Sequence, residues 1–287
     1  MVKYIDKNFA KDLLPERIDD SNKGTYGKVL NIAGSTKYSG AALLSSVSAL
    51  KVGAGYLCLA CPDTIIARIS PAVPEITYIP LITNKNGAIS SENNIDTDNF
   101  NVISLGCGIT QDKDTATFVL NTLINIKKKN IVIDADGINI ISAFSDKPDI
   151  KNSVITPHPK ELSGLLNVNL NEITENREKY ARIASQTFDC ITVLKGHNTI
   201  ITDGDEIYTN TTGSSALAKA GTGDVLTGII TGFIAQGVSP INSAILGVYL
   251  HGLAGDLAAE DLTEYSVLAS DVVTYISYAI ADLLKED

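Results

Sequence analysis

Ile131-Val132-Ile133-Asp134-Ala135-Asp136-Gly137-Ile138-Asn139 opens on three β-branched residues in a row and then breaks into two aspartates and a glycine. An apolar run without polar alternation is a strand covered on both faces, and Asp and Gly mark the turn at its carboxyl end. The same construction recurs outward along the chain: strands are expected over 29–33, 56–60, 102–105, 131–134, 154–156 and 191–194. Helical periodicity fills 40–52, 115–126 and 175–187, and then three successive segments, 224–236, 240–261 and 267–284. Buried strands alternating with helices place helices on both sides of a mainly parallel sheet, a three-layer α/β/α sandwich. Asp203-Gly204-Asp205, between 199–202 and 206–209, adds a β-hairpin.

The bulk properties agree. A chain of 287 residues with 44% hydrophobic and 20% charged residues has an ordinary globular composition and enough length for a large core. One domain over 1–287 is expected, because layered α/β folds of this size often form a single unit. The net charge of −10 disfavours nucleic acid and anionic lipid as partners. Lys127-Lys128-Lys129, the one dense basic run, reads as a solvated helix end. With no signal-peptide core at the N-terminus and no uninterrupted apolar span, a cytoplasmic protein without a membrane partner is expected. Cys58 and Cys61 form a C-x-x-C, but inside a strand and without further ligands, so they read as small buried hydrophobes.

Chemistry concentrates at strand ends and at one helix start. Gly221-Thr222-Gly223-Asp224 precedes an apolar helix, where unpaired amides and the helix dipole form a cradle for a phosphate. An aspartate in that first turn is either a dipole partner or a catalytic base. No Gly-Lys-Ser or Gly-Lys-Thr tripeptide follows a glycine turn, so this is not a Walker loop, and Gly53-Ala54-Gly55 follows a helix and reads as its stop. Thr156-Pro157-His158-Pro159 closes a strand at the carboxyl edge of the sheet, where open α/β folds bind ligands; His158 either faces that ligand or caps the next helix. His251, among Leu250, Leu253 and Ala254, reads as a satisfied packing residue. Gly106-Cys107-Gly108 ends another strand, and Asp134 with Asp136 is compatible with Mg²⁺ held through water or with plain turn formation.

Taken in order, Lys23-Gly24-Thr25-Tyr26-Gly27, Ala33-Gly34-Ser35, Ser39-Gly40-Ala41-Ala42, Gly106-Cys107-Gly108, Asp134-Ala135-Asp136, Thr156-Pro157-His158-Pro159, Lys195-Gly196-His197-Asn198-Thr199 and Gly221-Thr222-Gly223-Asp224 resemble the ribokinase-like superfamily. Within it they are similar to the NAD(P)H-hydrate dehydratase family over nearly the whole chain. The resemblance implies nucleotide-dependent dehydration of the S-epimer of hydrated NADH or NADPH. Asp224 would be the base, with Gly221, Thr222 and Gly223 holding the transferring phosphoryl group. Ala41, Gly108, His158 and Asp224 would line the dinucleotide site, and Lys195, Gly196, His197, Asn198, Thr199 and Gly223 the nucleotide site. ADP is the expected co-substrate, with ATP as the alternative, and Mg²⁺ would bridge the phosphates with its protein ligands unassigned. A homo-oligomer, a tetramer by resemblance, and a separate epimerase acting on the same substrate complete the expectation.

The chain departs from the family where Cys107 replaces a usual proline, Lys160 and Ala220 usual glycines, and Ser214 a usual asparagine. Two rivals remain: a kinase of the same fold acting on a thiazole, pyridoxal-like or sugar alcohol, and a nucleotide-binding protein without turnover.

Overall fold

The computed structural model describes residues 2–126 and 130–285; Lys127-Lys128-Lys129 lies outside them. In chain order the first half runs β1 (Val2–Ile5), α1 (Lys7–Asp12), β2 (Lys28–Ile32), α2 (Ser39–Lys51), β3 (Tyr56–Pro62), α3 (Asp63–Ile69), β4 (Thr77–Leu81), β5 (Val102–Leu105), α4 (Lys113–Asn125), β6 (Asn130–Ile133) and α5 (Asp136–Ser142). The second half runs β7 (Val154–Ile155), α6 (Pro159–Leu166), α7 (Leu170–Glu175), α8 (Arg177–Phe188), β8 (Ile191–Leu194), β9 (Ile200–Thr202), β10 (Ile207–Asn210), α9 (Thr222–Ala235), α10 (Pro240–Ser266) and α11 (Ala269–Leu284).

The ten strands of the described residues join one sheet in the order β1-β10-β9-β8-β7-β6-β5-β2-β3-β4. Only β9 runs against the rest, pairing antiparallel with β8 and β10 while every other pairing is parallel. The expected hairpin is present, with Thr202 opposite Ile207. The period-2 geometry of strands splits the apolar runs cleanly between two faces. Val29, Leu57, Val102, Val132 and Val193 share one core with α2, α9, α10 and α11. Their neighbours Leu30, Ile103, Ile131 and Ile133 pack on the other side against Phe118 and Val119 of α4 and Ile138 and Ile141 of α5. Helices α6 to α8 cover Leu194, Ile200 and Ile207 through Leu162, Tyr180 and Ala184. The mainly parallel α/β/α architecture expected from the sequence is therefore the one observed.

Two polar side chains break the first apolar face, and both are satisfied. Asn31 donates to Ser45 and Ser46 of α2 at 2.8 and 2.9 Å and accepts from Ser104 of β5 at 2.5 Å. Such a network pins α2 to β2 and β5 in one register, since misplacing it would leave buried groups unpaired. Helix α9 crosses α2 closely: a Cβ on Gly228 would lie 2.1 Å from the Ser45 carbonyl oxygen, and one on Gly232 2.6 Å from that of Ala49.

The differences from expectation are local. Strands β1 and β4 and the short helices α1, α3, α5 and α7 were not anticipated, α10 continues to Ser266 with a break at Thr263 (φ 69°), and the other expected helix ends move by a few residues. Gly53 (φ 109°) does stop α2, and Cys58 and Cys61 are buried free thiols, as read from the sequence.

Candidate active site

The carboxyl ends of β5, β6, β7 and β8 converge beneath the start of α9, and the side chains meeting there are mostly charged. Asp134, just after β6, continues the parity of Val132 and so points at α9, where Thr227 Oγ1 donates to it at 2.7 Å. Lys195, just after β8, reaches it from the other side at 2.6 Å and also lies 3.8 Å from Glu161 of α6. Asp134 is 1% exposed and Glu161 6%. Burial penalises the Asp134 carboxylate, but Lys195 outweighs that and holds its pKa below the usual value. Burial likewise opposes charge on Lys195, yet Asp134 and Glu161 keep the ammonium above its usual pKa. Glu161 is pushed up by burial.

Asp224 stands in the first turn of α9, after Gly221 at φ 94°, a left-handed conformation that favours glycine. Burial, then the neighbouring Asp134, pushes its carboxyl up to about 6, a value suited to a group that must take a proton near neutral pH. Gly223 and Asp224 make no backbone hydrogen bond through their amides among the described residues. The Thr222 amide is only loosely engaged, 3.5 Å from the Lys219 carbonyl, and the Thr222 hydroxyl closes the preceding turn on Leu217 and Lys219, both at 2.9 Å. The amides of Gly221, Gly223 and Asp224 are thus unspent at this helix start among the described residues, while the Thr222 hydroxyl serves the loop itself.

A cleft of about 390 Å³ opens beside this turn. All of Lys195, Gly196, His197, Asn198 and Thr199 line it together with Gly223, so the expected nucleotide residues come together. Leu217, Ala218, Leu226 and Val248 add apolar surface to its lining. Helix α10 approaches closely, since a Cβ on Gly252 would lie 2.1 Å from Thr212 Oγ1, and Asp256 anchors the facing loop by accepting from the Gly213 amide at 2.7 Å.

The residues expected at the dinucleotide site lie outside this cleft. Ala41 and Gly108 touch, with a Cβ on Gly108 only 2.8 Å from that of Ala41. Cys107, next to Gly108, brings its Sγ to within 4.8 Å of carboxylate oxygens of both Asp134 and Asp224, joining that pair to Asp224. His158 ends the strand β7 segment but turns back: its Nδ1 accepts from the Glu161 amide at 3.2 Å, while Glu161 accepts from the His158 amide at 2.8 Å. The ring therefore caps α6 while remaining half exposed beside Glu161, 3.5 Å away.

Two readings need correction. His251 is buried at 8% exposure, but it is not a satisfied packing residue, because its Nε2 has no hydrogen-bond partner and it lines the cleft. Burial pushes its pKa down to about 4, so a neutral imidazole faces the cleft; Ser214 Oγ, also on the lining, is likewise unpartnered. Buried polar atoms without partners are uncommon, and two on one cleft wall mark places for a polar ligand. Nothing in the sequence flagged His251, since its neighbours are apolar.

The Asp134 and Asp136 pair does not form a Mg²⁺ site. Asp134 is taken by Lys195 and Thr227, and Asp136 accepts from the Thr110 amide at 2.9 Å and Gln111 Nε2 at 3.0 Å. Among the described residues the group able to surround an ion is Cys107, Asp134 and Asp224. A buried thiol and an engaged carboxylate fit Mg²⁺ poorly, which takes oxygen ligands and keeps several waters.

Comparison with known proteins supplies the lineage of this site. A family model described as NAD(P)H-hydrate dehydratase matches residues 29–277. The chain belongs to the NAD(P)H-hydrate dehydratase family. It is 34% identical over 288 residues to the bifunctional NAD(P)H-hydrate repair enzyme of Moorella thermoacetica, covering 97% of this chain and 54% of that one. The chain thus spans about half the length of the bifunctional relatives it matches. It is 33% identical to the ADP-dependent (S)-NAD(P)H-hydrate dehydratase of Bacillus subtilis, covering 94% of this chain and 95% of that one. A crystal structure of the ADP/ATP-dependent dehydratase from Bacillus subtilis, co-crystallized with ATP/Mg²⁺, superposes with a TM-score of 0.87 at 30% identity, covering 98% and 99% of the two chains. A hydroxyethylthiazole kinase of Pyrococcus horikoshii shares the fold at a TM-score of 0.61 and 16% identity. Among the described residues no helix is long and apolar enough to cross a membrane.

Proposed function

We propose that this chain dehydrates the S-epimer of hydrated NADH or NADPH at the expense of an adenine nucleotide, ADP in the first instance. The observation that carries the reading is the Asp224 carboxyl, pushed up to about 6 beside the unengaged amides of Gly221, Gly223 and Asp224 at a helix start whose Gly223 lines a cleft of about 390 Å³. The nucleotide occupies that cleft, with its phosphates directed at Gly223 and the 195–199 loop. The hydrated dinucleotide lies on the Ala41, Gly108 and His158 side, with the C6 hydroxyl at Asp224.

Asp224 takes the proton of that hydroxyl as its oxygen attacks the terminal phosphorus, and AMP leaves from ADP. The negative charge on the transferring group meets the amides at the start of α9, which are fixed before the reaction and need no reorganisation. Lys195 is locked between Asp134 and Glu161, so it presents a fixed positive charge to the same region. The new phosphate ester then breaks at the C6–O bond, the ring nitrogen lone pair expelling phosphate, and loss of the C5 proton restores the dihydronicotinamide. Hydroxide is a poor leaving group and phosphate a good one, which is why phosphorylation precedes elimination. Mg²⁺ would arrive on the nucleotide phosphates, because the chain's own carboxylates near the cleft are engaged or unsuited.

Incubating the protein with hydrated NADH and either ADP or ATP tests this directly. Recovery of the dihydronicotinamide absorbance with release of AMP and phosphate is expected. A stable phosphorylated alcohol would make the chain a kinase, and nucleotide binding without any turnover would make it a binding protein.

A further inference from the structure

The loop from Lys195 to Thr199 is braced from behind. Arg177, at the start of α8, donates through Nη1 to the His197 carbonyl at 2.5 Å, and through Nη2 to the carbonyls of Leu194 at 3.2 Å and Lys195 at 3.5 Å. It lines an open groove on the far side of the loop with Asn176 and Lys179, not the cleft. Within the loop Gly196 has φ 140° and Asn198 φ 54°, conformations costly for most residues and held only where the surroundings impose them.

The geometry of the peptide bond turns this brace into a functional device. In a trans peptide the carbonyl and the next residue's N–H point in opposite directions. Pinning the Lys195 and His197 carbonyls on the guanidinium therefore aims the amides of Gly196 and Asn198 away from Arg177, toward the cleft that both residues line. Among the described residues neither amide has a backbone partner, whereas the Lys195 amide is spent on the Pro157 carbonyl at 2.9 Å.

We propose that Arg177 is a positioning residue for the nucleotide: without touching it, the guanidinium holds the loop so that the Gly196 and Asn198 amides present themselves to the ligand's anionic groups. This rests on the reading of the cleft as the nucleotide site. A lysine, with a single point charge, cannot hold three carbonyls in one plane and replaces it only in part.

The fold supplies its own control. Arg182, one and a half turns along α8, braces the β9–β10 turn in the same manner, donating to the carbonyls of Gly204 at 3.0 Å and Asp205 at 2.8 Å, remote from the cleft. In the full-length protein, Arg177→Ala is expected to raise the KM for ADP by about tenfold, the factor carried by one hydrogen bond of ordinary strength. Its kcat at saturating ADP and its KM for hydrated NADH should stay unchanged. Arg177→Lys should fall between, and Arg182→Ala should leave the KM for ADP at the wild-type value. In the ADP-bound protein, amide hydrogen exchange at Gly196 and Asn198 should be slowed in wild type and in Arg182→Ala but not in Arg177→Ala. Equal KM values for ADP in Arg177→Ala and Arg182→Ala overturn the proposal; if Arg177→Ala does not fold, unchanged values in both Arg177→Lys and Arg177→Gln do so. Wild-type protein that binds ADP by calorimetry but does not turn over hydrated NADH refutes the functional reading instead, and the ADP dissociation constants of the same variants then test the brace.

Discussion

Replacing Asp224 by asparagine should abolish turnover and, at the same time, make the protein more stable, in a way that depends on pH with a definite sign. The carboxyl is raised from 3.8 to about 6 by burial and by Asp134. The folded protein therefore binds this proton more tightly than the unfolded chain does, so stability falls as pH rises from about 4 through about 6. A rise of about two pH units, at about 1.4 kcal/mol each, amounts to roughly 3 kcal/mol lost above pH 7, an upper figure because the side chain is only partly buried. Asparagine keeps the shape without the charge. The stability difference between Asp224→Asn and wild type should be close to zero near pH 4 and grow to about 2–3 kcal/mol at pH 8. Urea unfolding at the two pH values, read as a midpoint shift at constant m, measures it. In wild type, kcat/KM should fall tenfold per pH unit below about 6 as Asp224 protonates. A variant no more stable than wild type at pH 8 would refute the claim that the fold holds this carboxylate under tension.

Three further outcomes follow from the same geometry. Lys195→Met strands the Asp134 carboxylate, 1% exposed, and should cost about 3–5 kcal/mol, much of it restored in the double variant with Asp134→Asn; a thermal melt series decides it. Gly252→Ala would place its Cβ 2.1 Å from Thr212 Oγ1, displacing the loop that faces the cleft. Its KM for ADP should rise severalfold while the KM for hydrated NADH holds. The four cysteines are all buried, with Cys61 and Cys190 pushed up to about 12 by burial, so an aromatic disulfide reagent should label none in the native protein and all four in guanidinium.

What the sequence disclosed and what it withheld divide along a physical line. Strands β2, β3, β5, β6 and β8 were legible because burial on both faces forces largely apolar runs, even with Asn31 and Ser104 paired inside β2 and β5. Strand β1 was not, since Val2–Ile5 carries Lys3, exposes its middle residues and owes its existence to pairing with β10, about two hundred positions away. Strand β4 hides behind Pro80, which only an edge strand tolerates, and it indeed lies at the sheet's end. In the candidate site, the glycine turns and Asp224 were visible because backbone conformation and charge leave marks in composition. The Lys195 link to Asp134, the lone Nε2 of His251 and the Arg177 brace were not, for each depends on side chains brought together by the tertiary fold, whereas the capping of α6 by His158 was one of the two readings its sequence left open. Asp136 misled because an aspartate before glycine looks the same whether it meets a cation or, as here, two N–H donors.

The central position of α9 bears on how this protein comes into being. The helix that fills the core opposite β5 and β6, and that supplies Asp224, is encoded after every strand of the sheet. A chain emerging from the ribosome will have produced all ten strands while α9, α10 and α11 are still unmade, leaving Val102, Val132 and Val193 without their cover. Such an apolar surface is the kind that chaperones bind and that aggregates if synthesis stalls. Arrival of Asp224 and closure of the core are thus one late event, so a nascent or truncated product lacking α9 to α11 should be both inert and insoluble.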